Sequence, residues 1–249
     1  MGAQRSIRVF AIIFLFVFIN NNAFAENKAA EILDRIKANY SRSISRIDKL
    51  QISTNIATVH ATKTEMNGLM ILDAESEPLT EDFFAEELGL FLFIYEQLFE
   101  DFEEIKESAV FSGIKQFSGA EMYHLEIEMD DSNFIRMLID TKDLLLRSVE
   151  LDINDSRKLN LKIEYSDYRR VNRRYKFPYQ TVMSIIDFSL EPDEHEYVSE
   201  IVNQYEQLLQ QCPESAAEFM HIGGFDFLYQ IYKYGTIETV ITVDNIIVN

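Results

Sequence analysis

The chain has 249 residues, enough for one sizeable core, with 42 acidic against 23 basic side chains and a formal net charge of −19. That excess of negative charge repels nucleic acid and anionic lipid surfaces, so a nucleic-acid-binding role is excluded at this level. The single cysteine, Cys212, rules out an internal disulfide, and 8 glycines and 4 prolines without a Gly/Ser tract give no linker, so a single domain over 26–249 is expected.

Residues 1–25 read as a cleavable export signal. Arg5 and Arg8 precede an apolar run from Val9 to Ile19, and Ala23-Phe24-Ala25 supplies a small-x-small cleavage site ahead of Glu26. The run is too short to span a bilayer comfortably as a helix. No cysteine lies at the cleavage point, so there is no attachment site for an acyl anchor, and the mature chain is expected to be secreted and soluble.

From Asn27 to about Lys49, Ala29, Ile32, Leu33, Ile36, Tyr40, Ile44 and Ile47 recur every three or four residues and predict a helix with one oily stripe. LQISTNIATVHAT then turns β-branched and predicts a strand, followed by a short strand over Gly68 to Asp73 and a loop carrying Pro78. Between Thr80 and Glu107 lies the oiliest stretch after the signal. Phe84, Leu88, Phe91, Tyr95, Leu98, Phe102 and Ile105 share one helical face, with Thr80 as cap and Gly89 as a break point.

From Ala109 to Phe188 the pattern is a meander of six strands separated by short turns such as Ser118-Gly119 and Thr141-Lys142-Asp143, which implies antiparallel neighbours. Leu159, Leu161, Ile163 and Tyr165 alternate with Asn160, Lys162 and Glu164, so one sheet face is buried and the other wet. A helical segment follows from about 191 to 235, with a stripe ending at Cys212, read as a buried small hydrophobe, before Pro213. The closing TIETVITVDNIIV is a strand that must insert beside earlier ones, making the helices an insertion before the last strand.

Chemistry-bearing motifs are sparse. His60, His124, His195 and His221 are far apart, and there is no HExxH, GxSxG, Walker loop or dinucleotide glycine motif, so no catalytic residue, metal ligand or cofactor is assigned. Two features stand out instead. The oily helical face, with inward strand residues Leu125, Ile127, Met137 and Ile139, either fills a core or lines a cavity. Arg169, Arg170, Arg173, Arg174 and Lys176 form a positive patch on an acidic chain, suited to lipid phosphates, to an acidic partner surface, or simply to a solvated hairpin end.

The order of elements, with the phrases YHLEIEM, NFIRMLIDTKDLLLRSVEL, LKIEYSDYRRV and YKFPYQTV, resembles the outer-membrane lipoprotein-sorting family with its LolA-like fold. Ile139-Asp140, Leu146-Arg147, Tyr165 to Tyr168 and Phe177-Pro178 carry the resemblance, which is best over residues 107 to 189, plausible over 27 to 60 and recovered in TVDNIIVN. It implies an α+β, mainly antiparallel fold, in which a curved, incompletely closed half-barrel sheet is covered by helices. It also implies a periplasmic, non-enzymatic carrier of lipid or lipoprotein acyl chains, held by Phe84, Leu88, Phe91, Tyr95, Leu98, Phe102, Leu125, Ile127, Met137 and Ile139. The family's lid-latching arginine has no counterpart between His60 and Pro78. A same-fold sensor that recognises lipid and signals to an inner- or outer-membrane protein is the alternative.

Overall fold

In the computed structural model, residues 25–79, 85–129, 132–154, 158–186, 188, 192–214, 216 and 225–249 are described. Residues 1–24 of the expected export signal, the expected Thr80 cap and Phe84 lie outside them. The first helix, α1 (25–44), follows the predicted periodicity: Ala29, Ile32, Leu33, Ile36, Tyr40 and Ile44 are all buried. Its stripe is apolar because those positions meet the sheet, while on the outer side Lys28 pairs with Glu31 and Asp34 with Lys106, each at 2.8 Å.

The LQISTNIATVHAT segment is two strands, β1 (Lys49–Thr54) and β2 (Ala57–Met66), where sequence predicts one. The Thr54 hydroxyl oxygen accepts from Ile56 N at 3.3 Å and Ala57 N at 3.0 Å and turns the chain after only two linking residues. Strand β3 (Leu69–Pro78) runs further than expected, and Pro78 ends it on a sheet edge instead of lying in a loop, where its missing N–H costs no ladder bond.

The oily segment forms three short helices, α2 (Leu88–Leu92), α3 (Ile94–Glu100) and α4 (Phe102–Ser108), which break at Phe93 and Asp101 and not at Gly89. Gly89 serves another purpose. A Cβ there would sit 3.1 Å from Ala74 O and 3.2 Å from Ser76 Oγ, so its absence lets α2 press against β3, and Gly89 N donates to Ser76 Oγ at 2.7 Å.

Six strands follow: β4 (Ala109–Phe117), β5 (Ala120–Glu128), β6 (Phe134–Asp140), β7 (Leu146–Asn154), β8 (Lys158–Arg170) and β9 (Lys176–Ile186). Helices α5 (Pro192–Gln211) and α6 (Phe225–Tyr234) lead to β10 (Thr236–Val248). The ten strands make one antiparallel sheet in the order β3-β2-β1-β10-β9-β8-β7-β6-β5-β4, open at β3 and β4. The sheet is not closed into a barrel, and helices cover it, which is the α+β architecture that the sequence implies.

The last strand sits in the middle of that order, paired with β1 through Ile52↔Ile246 and with β9 through Val240↔Val182. The chain between β9 and β10 therefore leaves and re-enters adjacent strands. Helices α5 and α6 have a small core of their own, Val198, Val202, Tyr205, Ala216 and Phe225, while Ile231 joins the main core. Cys212 is exposed just beyond the end of α5, contrary to the expectation of a buried hydrophobe, because the stripe stops packing at Leu208.

Candidate functional site

The buried face of the sheet divides into a packed centre and an open end. At the centre, Leu88, Leu125, Ile127, Met137 and Ile139 are at most 2 % exposed and belong to one continuous core with Leu98 and Phe102. Phe91 is half-buried against the same core. Side chains without polar atoms have nothing to hold them away from one another, so they interdigitate and fill the space.

At the open end lies a cleft of about 350 Å³. One wall is the second half of α1, with Ile36, Asn39, Tyr40 and Ser43, and another is the α2–α3 junction at Leu92, Ile94 and Tyr95. The β6–β7 turn (142–146) and the β8–β9 hairpin complete it, with Tyr165, Tyr168, Tyr175 and Phe177 among the lining. Of the ten residues that sequence nominates for acyl contact, Tyr95 lines this cleft, eight take part in the packed core, and Phe84 is outside the described residues.

Tyrosines shape the cleft because the phenols of Tyr95, Tyr165 and Tyr168 are fixed to backbone. Tyr95 donates to Leu144 O at 3.4 Å and accepts from Leu146 N at 2.5 Å. Tyr168 donates to Leu146 O at 2.5 Å, and Tyr165 to Phe91 O at 2.6 Å. These bonds run from helix to sheet or from strand to strand, so they position the walls while the rings present apolar faces. Arg147 stacks over Tyr168 at 4.7 Å and pairs with Asp140 at 3.2 Å, holding the Asp140 to Arg147 turn that borders the cleft. The turn is braced internally by Asp140 Oδ1, which accepts from Lys142 N at 2.9 Å.

Behind Tyr95, the Tyr40 phenol donates to the carboxyl of Glu96 and accepts from Leu72 N at 3.2 Å. Tyr40 also meets Phe99, with ring centroids 5.1 Å apart. Glu96 is 8 % exposed, and its Oε2 has no hydrogen-bond partner among the described residues. Burial, only partly opposed by the Tyr40 hydrogen bond, pushes its carboxyl up to about 8, so the group is largely protonated at neutral pH. Glu96 also borders a second hollow of about 210 Å³ beneath α2 and β3.

The basic patch is split by the fold. Arg169 pairs with Asp167 at 2.5 Å and stacks over Tyr179 at 4.4 Å, and Lys176 reaches Asp143 at 3.0 Å on the cleft rim. Arg174 lines the cleft as well. Arg173 and Arg174 border a smaller neighbouring hollow with Arg46, while Arg170 is exposed near the end of β8.

Sequence reasoning missed Tyr40, Tyr165, Tyr168 and Tyr175 as cleft residues, and Glu96 altogether. Glu96 did carry a signal: it is the one charged residue in LGLFLFIYEQLF, where an acid must be either exposed or buried with a partner. Among the described residues no group of three or more His, Cys, Asp or Glu is placed to hold a metal ion, and no helix is long and apolar enough to cross a membrane.

No protein-family model matches the chain, and no curated protein matches it in sequence. Solved structures resemble it at low identity. An outer-membrane lipoprotein-sorting protein domain from Vibrio parahaemolyticus is 11 % identical, with TM-score 0.44 over 90 % of this chain and 93 % of that one. A DUF1329 family protein from Desulfovibrio piger is 9 % identical, with TM-score 0.43 over 90 % and 93 %. A LolA superfamily protein from Nitrosomonas europaea is 10 % identical, with TM-score 0.36 over 87 % and 93 %.

Proposed function

We propose that the chain is a periplasmic, non-enzymatic carrier that takes acyl chains of lipids or lipoproteins into the tyrosine-walled cleft, in the service of outer-membrane lipoprotein sorting. The observation that carries this reading is the cleft itself: about 350 Å³ between helical cover and sheet, within the size range of small-molecule sites, and walled by aromatic rings, of which Tyr95, Tyr165 and Tyr168 have their hydroxyls bonded to backbone. A satisfied phenol leaves an apolar face for a hydrocarbon tail, and each methylene removed from water there contributes about 0.8 kcal/mol.

A tail longer than the cleft extends beneath the cover, past Tyr95 toward Leu88, Phe91, Leu98 and Phe102 on one side and Leu125, Ile127, Met137 and Ile139 on the other. Its entry requires the cover to yield. Helices α2, α3 and α4 are five, seven and seven residues long, and none has a side-chain N-cap, so they are stable only through their tertiary contacts and can be displaced piecewise. The rim cations Arg174 and Lys176 face the mouth, where a headgroup or an acidic partner surface would sit.

The test is to export the chain with its leader, purify it without detergent, and examine it by native mass spectrometry, followed by displacement of a fluorescent fatty acid. The reading predicts adducts of lipid mass and displacement by long-chain fatty acid. Bare protein together with no displacement contradicts it.

A further inference from the structure

Beside the tyrosine cleft lies a hollow of about 150 Å³, walled by Ser43, Ser45, Arg46, Asn172, Arg173 and Arg174, with Val248 behind. Ser43 and Arg174 border both spaces, so the two are contiguous. The three arginines come from two elements distant in sequence: Arg46 follows α1, and Arg173 and Arg174 sit in the turn between β8 and β9. That turn is held in place, because Asn172 Oδ1 accepts from Arg174 N at 2.9 Å and Tyr175 N at 2.8 Å, and Val171 N donates to Tyr175 O at 3.0 Å. The hydroxyls of Ser43 and Ser45 donate to Tyr40 O at 2.7 Å and Arg42 O at 3.0 Å, which leaves the guanidinium groups and the Asn172 amide as the hollow's side-chain donors.

None of these three guanidinium groups has an ion pair or side-chain hydrogen bond among the described residues, although acids outnumber bases 42 to 23 in the chain. The contrast with their neighbours is informative. Arg169 is paired with Asp167 two residues away, and Lys176 with Asp143 of the β6–β7 turn. All three are exposed at the surface of the hollow, and an anion held between them would accept charge-assisted hydrogen bonds from more than one guanidinium.

We infer that this hollow is a phosphate site and that, with the adjoining cleft, it receives one phosphate-bearing amphiphile, the phosphate among Arg46, Arg173 and Arg174 and the acyl chain against the tyrosines. The inference rests on the acyl-carrier reading for its second half only. It names a substrate class within that reading: acylated phosphates are preferred over uncharged acyl compounds of the same chain length. The arginine hollow selects the headgroup, and the cleft contributes affinity without discriminating among tails.

The test is calorimetric titration of the exported chain with three probes: dihexanoylphosphatidic acid, dihexanoylglycerol and inorganic phosphate. The phosphatidic acid is expected to bind at least about tenfold more tightly than the diacylglycerol, the scale of one charge-assisted contact, and to be weakened by added inorganic phosphate. In R46Q/R173Q/R174Q that preference disappears, and in R46Q/R173Q, which keeps the cleft-lining Arg174, it falls while diacylglycerol affinity holds within about twofold, a change below the size of one such contact. R169Q/R170Q, which removes two positive charges outside the hollow, keeps it. Equal affinity for the two lipids in the unsubstituted protein, or a preference that survives in the triple variant, overturns the inference. So does inorganic phosphate binding as tightly as the phosphatidic acid, which assigns the hollow to soluble phosphates. Phosphate binding lost in the triple variant, with neither lipid bound, sinks the acyl-carrier reading and leaves the anion site standing. Binding of none of the three sinks both.

Discussion

The two ends of the buried sheet face differ in kind. The centre is made of Leu88, Leu125, Ile127, Met137 and Ile139, which are at most 2 % exposed within one core, whereas the end near α1 is rich in tyrosines that border a cleft of about 350 Å³. The difference follows from what each side chain can be tied to. An aliphatic residue settles wherever its neighbours allow, but a tyrosine whose hydroxyl is bonded to a fixed backbone atom cannot collapse inward without losing that bond. A fold that must keep space open at one end and cohere at the other can do so with this division of residue types.

The contrast is broken most severely at the packed centre. Ile139→Ala, at a site with no exposure, removes methyl groups from a full core and is expected to cost about 2–5 kcal/mol in urea unfolding, because the surroundings close only partly over the cavity. Gly89→Val forces α2 away from the Ala74 carbonyl, which lies only 3.1 Å from the new Cβ position, and is expected to cost about 1–3 kcal/mol by the same assay.

Glu96 gives the comparison a pH dependence. Its carboxyl lies near 8 in the folded protein against an ordinary 4.5, so the folded state holds a proton that the unfolded state releases. Its contribution is therefore intact below about 4.5, falls as pH rises between about 4.5 and 8, and is flat above that window. Thermal melts across that range should show the decline, and Glu96→Gln, which carries no titrating proton, should flatten it. An unchanged slope in the variant contradicts the assignment.

At the open end the effects are smaller. Tyr168→Phe removes one hydroxyl bond to Leu146 O and is expected to cost about 0.5–1.5 kcal/mol in stability, with a larger proportional loss of fatty-acid binding as the wall relaxes. Smallest of all is Cys212→Ser: the thiol is exposed and beyond α5, so unfolding should move by no more than about 0.5 kcal/mol.

The strands were the most legible part of this molecule. From Ala109 to Ile186 period-two alternation and turn residues mark every strand to within a few positions, because a half-buried antiparallel sheet writes its two faces directly into successive residues. The break between β1 and β2 was hidden, since Asn55 and Ile56 carry neither glycine nor proline and the turn depends on the Thr54 hydroxyl. The oily helical segment was also misleading. Its periodicity shows which residues are apolar but not that the chain breaks at Phe93 and Asp101, where tertiary packing overrides helical propensity.

The site was less legible than the fold. Tyr95 could be nominated from its place on an apolar face, but the same rule nominated Leu125, Ile127, Met137 and Ile139, which are indistinguishable from cavity residues until packing is seen. Arg46 belongs with Arg173 and Arg174 only because the end of α1 comes back against the β8–β9 turn, a contact between residues more than 100 positions apart that no spacing rule reports.

The central claim is that a hydrocarbon tail occupies the tyrosine-walled end and not the packed centre or the α5–α6 pair. Backbone amide spectra recorded with a fatty acid carrying a spin label at its terminal carbon test it directly. The account predicts line broadening that starts at Tyr95, Leu144 to Leu146 and Tyr168 and leaves Val198, Val202 and Tyr205 sharp. Broadening confined to α5 and α6, or absent everywhere at saturating fatty acid, would contradict it.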